Sequence, residues 1–135
     1  MRLQRYLERF HSILTSREDW LIESLLIDEI IPDQEGLVDG RLRFWDGSLL
    51  EFSETLSVRN MLLVKTRYAY HYQNGKEQLI FRYDNAPHHP QISTFPHHKH
   101  VVNPTTQIER IEATSVPDLM AILHEIDNFL YADTQ

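Results

Sequence analysis

Thr66-Arg67-Tyr68-Ala69-Tyr70-His71-Tyr72-Gln73-Asn74-Gly75-Lys76-Glu77-Gln78-Leu79-Ile80-Phe81-Arg82-Tyr83-Asp84 alternates ring and polar side chains on both sides of an Asn-Gly pair. Period-two alternation marks a strand with one buried face. Asn-Gly is the strongest signal for a two-residue hairpin loop. With Asn74-Gly75 as that loop, Tyr72 faces Glu77, Tyr70 faces Leu79, Tyr68 faces Phe81 and Thr66 faces Tyr83. That face is aromatic. The other face sets His71 against Gln78, Ala69 against Ile80, Arg67 against Arg82 and Lys65 against Asp84. Two arginines directly opposite each other repel unless an anion lies between them. The pair therefore points to a phosphate or carboxylate site; a structural carboxylate nearby, or solvated side chains, would relieve it equally well.

Upstream, Arg41–Trp45 and Leu49–Ser53 flank Asp46-Gly47. A three-residue loop over 46–48 separates the faces best, with Phe44 against Leu50, Leu42 against Phe52 and Arg43 against Glu51. Residues 20–31 read as a strand, from their Ile and Leu content and the Pro32-Asp33-Gln34-Glu35-Gly36 turn. Before them, Leu3, Tyr6, Leu7, Phe10, Ile13 and Leu14 recur at helical spacing over residues 2–15. At the other end, Ile108–Thr114 reads as a last strand. Ser115-x-x-Asp118, with Pro117 in the first turn, caps a closing helix whose apolar stripe is Leu119, Ile122, Leu123, Ile126 and Leu130. The expected fold is α+β: an antiparallel meander of five to six strands with the N- and C-terminal helices on one face.

The chain of 135 residues is read as a single domain, 1–135. It has no cysteine, which excludes disulfides and thiolate metal sites and fits a cytoplasmic protein. No apolar run approaches the length of a membrane span. The net charge of −7 is unevenly spread. Residues 59–110 hold seven Lys/Arg against three acids, net +4, with six of the eight histidines; the rest of the chain is net −11. A cationic surface on an acidic body is the expected result.

Residues 86–107 show no helical or strand period and hold four of the six prolines. A structureless stretch of that length in a small domain is commonly functional. With the end of the preceding strand it reads Asp84-Asn85-Ala86-Pro87-His88-His89-Pro90, then Phe95-Pro96-His97-His98-Lys99-His100. Folded back over the hairpin, it would bring His88, His89, His97, His98, Lys99 and His100 near Lys65, Arg67 and Arg82. Three readings follow. In metal-independent RNA cleavage, two histidines act as acid and base while Lys99, Arg67 and Arg82 stabilise the phosphate and Tyr83 stacks a base; no cofactor is needed. In a metal-dependent hydrolase, His98 and His100 point the same way in an extended segment, and Asp84 or His88 completes three protein ligands around a divalent ion such as zinc. In a binding module, the block docks a protein partner without chemistry.

The run Phe81-Arg82-Tyr83-Asp84-Asn85-Ala86-Pro87-His88-His89-Pro90, followed by Thr94-Phe95-Pro96-His97-His98-Lys99-His100, resembles the TumE-like family. These are small prokaryotic toxins of toxin–antitoxin pairs. The resemblance implies a small antitoxin partner carrying a helix-turn-helix. It marks Arg82, Tyr83, Asp84, Asn85, His88, His89, His97, His98, Lys99 and His100 as site residues without assigning their roles. Joined to the first reading, it implies a toxin that acts on RNA through a His/Lys/Arg site.

Overall fold

The computed structural model describes residues 2–132. Helix α1 (Arg2–Leu14) is followed by β1 (Trp20–Ile31), β2 (Glu35–Phe44), β3 (Leu49–Arg59), β4 (Leu62–Gln73), β5 (Leu79–Asp84), β6 (His98–Val102) and β7 (Glu109–Ala113), and the chain closes with α2 (Leu119–Leu130). The strands form one antiparallel sheet in chain order, a pure meander. The α+β class is as expected, but there are seven strands instead of five to six. The additional one is β6, which lies inside the segment expected to be a structureless loop.

Both helices cover the same face of the sheet. The stripe Leu3, Leu7, Phe10 and Leu14 of α1 and the stripe Leu119, Ile122, Leu123, Ile126 and Leu130 of α2 are buried in one cluster with Leu42, Phe52, Tyr70, Tyr72 and Phe81. Each such aliphatic side chain removed from water contributes about 1.5–3 kcal/mol, so these stripes are what hold the helices down. The N-cap of α2 is Asp118, whose carboxylate accepts from the Ala121 N–H at 2.8 Å. Ser115 is not the cap, and Pro117 precedes the cap instead of lying in the first turn. The Pro117 carbonyl accepts from Lys65 Nζ at 2.9 Å.

The two hairpins share one loop geometry, which corrects the expected register of each. In the first, the Phe44 N–H donates to Ser48 O and Gly47 N–H donates to Phe44 O. The loop is therefore Trp45-Asp46-Gly47, with Gly47 at φ 86 in the third position, where only a left-handed residue closes the turn. Leu42 then faces Leu50, and Arg41 faces Glu51. In the second, Asn74 N–H donates to Gln78 O and Glu77 N–H donates to Asn74 O, with Glu77 at φ 65. Asn74 Oδ1 accepts from the Lys76 and Gln78 amides at 2.9 and 3.0 Å. This capture opens the loop to Gly75-Lys76-Glu77 in place of a two-residue turn. Tyr72 now faces Phe81, Tyr70 faces Tyr83, and His71 faces Arg82. Arg67 lies opposite Thr55 of β3, so the expected arginine pair does not form.

Both corrections slide a strand by an even number of residues, so no side chain changes face. The helix side keeps Tyr68, Tyr70, Tyr72, Phe81 and Tyr83. The outer side keeps Arg67, Ala69, His71, Arg82 and Asp84.

Candidate functional site

Strand β6 divides the histidine block by parity. Successive side chains of a strand alternate faces. His98 pairs with Asp84 and His100 with Arg82 on the outer side, whereas Lys99 pairs with Tyr83 on the helix side. A third ring, His89, comes from the turn segment after β5. Its centroid lies 4.8 Å from that of His98 and 5.6 Å from that of His100, and the latter two are 4.9 Å apart. One nitrogen from each of the three rings lies within 4.8 Å of the others.

Asp84 is the hub of this cluster. Its side chain is 8% exposed. Oδ1 accepts from the Ala86 N–H at 2.9 Å and lies 3.0 Å from His98 Nε2. Oδ2 accepts from Arg82 Nε at 3.0 Å and lies 3.5 Å from His100 Nε2. The far nitrogens are also held: His98 Nδ1 is 2.9 Å from Pro96 O, and His100 Nδ1 is 2.7 Å from Glu109 Oε1.

Arg82 links the cluster to a groove. Its Nη1 donates to His71 Nδ1 at 3.2 Å. The groove, about 470 Å³, runs across the outer face between Arg41, Glu51, Ser53, Ala69, His71 and Arg82. Burial first, then the adjacent Arg82 charge, lowers the affinity of His71 for its second proton, which favours the neutral ring.

The other residues marked by sequence lie elsewhere. Lys65 Nζ is 3.2 Å from the buried carboxylate of Glu54 and donates to Tyr70 Oη at 2.6 Å. Glu54 also accepts from the Tyr6 and Tyr70 hydroxyls. Burial, with Glu54 adding to it, drives the Tyr70 hydroxyl far above its ordinary range. Lys99 pairs with Glu125 of α2 at 2.8 Å. Burial pulls that ammonium down, but Glu125 and Tyr83 outweigh it and raise its proton affinity. Tyr83 donates to Glu125 at 2.5 Å and packs edge-on to Phe81. Its hydroxyl is raised by burial and by Glu125. His97 stacks on Tyr68 and shares a hydrogen bond with its hydroxyl at 3.0 Å. Asn85 bonds the backbone of β4, accepting from Tyr68 N–H and donating to Thr66 O, both at 3.0 Å. His88 and Arg67 are exposed. Of the four residues in the metal set expected from sequence, His98 and His100 lie in a three-ring cluster with His89; His88 lies outside it and Asp84 borders it.

Glu109 and Arg41 were not marked by sequence. Residue parity on paired strands would have placed both on the outer face, but their partners are fixed only by β2–β3 and β6–β7 pairing.

The meander is capped by two helices on one face and carries a histidine–carboxylate cluster beside a groove on the other. Residues 9–131 match the family described as Toxin TumE, and the chain belongs to that family. Neither a search of curated proteins nor one of solved structures finds a match. Among the described residues, no helix is long and apolar enough to cross a membrane.

Proposed function

We propose that this toxin cleaves RNA on the outer face of its sheet. The observation that carries the reading is the position of Arg82, between Asp84 of the histidine cluster and His71 of the groove. A guanidinium at such a junction suits a bridging phosphate, because its fork matches two phosphate oxygens. Arg41 lines the same groove, and the positive balance of residues 59–110 supports an anionic substrate.

The chemistry follows from what a phosphate would displace. When it takes the Arg82 Nη1 donor, His71 Nδ1 is left with a free lone pair. That nitrogen accepts the 2′-hydroxyl proton, the 2′-oxygen bonds to phosphorus, the bond from phosphorus to the 5′-oxygen breaks, water protonates the departing oxygen, and the hydroxide left takes the proton back from His71. Arg82 and Arg41 stabilise the charge gathering on the phosphate oxygens. His97, Lys99 and Lys65 are structural in this reading.

The antitoxin that the family implies is, from the resemblance, a small helix-turn-helix protein, and the setting is the cytoplasm. Incubating purified protein with a defined oligoribonucleotide tests the reading. Cleavage leaving cyclic phosphate ends, reduced at least 100-fold by Arg82→Ala at unchanged fold, is the expected result. Uncut RNA, or an unaffected Arg82→Ala variant, would refute it.

A further inference from the structure

The hydrogen bonds around His98 and His100 leave an electrostatic question. Pro96 O can only accept, so His98 Nδ1 carries a proton; the Glu109 carboxylate places one likewise on His100 Nδ1. A neutral ring protonated at Nδ1 presents a lone pair at Nε2. Both Nε2 atoms nevertheless face oxygens of Asp84, at 3.0 and 3.5 Å, and ionised carboxylate oxygens also present lone pairs. A cation placed among these atoms would satisfy both rings and the carboxylate at once.

We infer that His89, His98 and His100 bind a single zinc-type divalent metal ion, with Asp84 beside them. Three observations agree. The ring nitrogens of three histidines lie within 4.8 Å of one another, close enough for small side-chain adjustments to bring them to zinc bonds of about 2.0–2.1 Å. The third nitrogen is present, since His89 is turned onto the other two rings. The Nδ1 atoms are held by a carbonyl and a carboxylate, the outer contacts that fix the tautomer of a metal-binding histidine. A three-histidine donor set without thiolate suits zinc and, less tightly, manganese. An ion held there would lie near Arg82, which bonds Asp84, and would polarise a phosphate bound to that guanidinium. Metal binding itself is independent of the RNA reading; the polarising role rests on it.

The test is zinc titration of chelator-stripped, full-length protein by calorimetry, with metal analysis of protein purified without chelator. One equivalent of zinc per chain, a raised Tm on adding zinc, and affinity weakened at least 100-fold by His100→Ala and by His89→Ala are expected. His11→Ala and His124→Ala, on exposed helix positions, keep parent affinity. His98→Ala is read only if circular dichroism shows it folded; His89, from a turn segment, and His100, half-buried, keep the test decisive otherwise. Binding of less than 0.1 equivalent at micromolar zinc, or undiminished binding by both His89→Ala and His100→Ala, would overturn the inference. Stoichiometric zinc without RNA cleavage leaves the metal site standing and removes the RNA reading. RNA cleavage undiminished after chelation removes the polarising role and leaves the RNA reading standing.

Discussion

Replacing Asp84 with Asn keeps the volume of the hub and removes its charge. The amide has one acceptor oxygen where the carboxylate has two, and its NH₂ must face either the Arg82 Nε–H or a histidine. Leaving a buried polar partner unsatisfied costs about 1–3 kcal/mol. Here His98 is the buried partner, at 2% exposure. Arg82 is 38% exposed, so water screens its loss and it adds only about 0.5 kcal/mol. A total of about 1.5–3.5 kcal/mol corresponds to a Tm fall of about 5–12 °C for a chain of this size. The assay is urea and thermal unfolding followed by circular dichroism, with chelator present so that no metal contributes. Glu109→Gln is the comparison. Its side chain is 48% exposed, and it shifts stability by less than about 1 kcal/mol. If Asp84→Asn unfolds within 1 kcal/mol of the parent, Asp84 does not organise the cluster.

Asp118→Ala removes the α2 N-cap bond to Ala121 and lowers stability by about 1 kcal/mol in the same denaturation assay, with Asp118→Ser restoring most of it. Asn85→Ala strands the Tyr68 N–H and the Thr66 carbonyl, costs about 1–3 kcal/mol, and speeds hydrogen exchange at the Tyr68 amide. His71, whose second proton is disfavoured by burial and by Arg82, takes it up less readily folded than unfolded. The stability it contributes is therefore present above its ordinary value of 6.5 and is lost as pH falls below that value toward the lower folded one. Comparing unfolding curves of the parent and His71→Gln from pH 7.5 to 5 checks this: the variant shows the shallower decline.

The fold was largely legible because its two strongest signals are periodic. Both helix stripes lie in the core at the residues the spacing marked, and β1 is a strand over the residues its composition marked. Register was harder. The Asn74 side chain bonds two loop amides, a local choice the Asn-Gly dipeptide does not reveal. The faces survived because the slide was even, whereas the Arg67–Arg82 pairing was lost. Strand β6 escaped notice because prolines bracket it, and its extended form comes from the ladders on both sides of it. The histidine block announced itself in the sequence, but its division between two faces is a consequence of that strand. His89 in place of His88 comes from turn geometry that no period encodes.

The measurement that bears most directly on the account is chemical-shift mapping with a 2′-O-methyl oligoribonucleotide, which binds without a hydroxyl to react. Saturable shifts centred on Arg41, His71, Arg82 and His100 on the outer face, with α1 and α2 unmoved, are expected. Shifts confined to the helix face, or none at millimolar RNA, would contradict it.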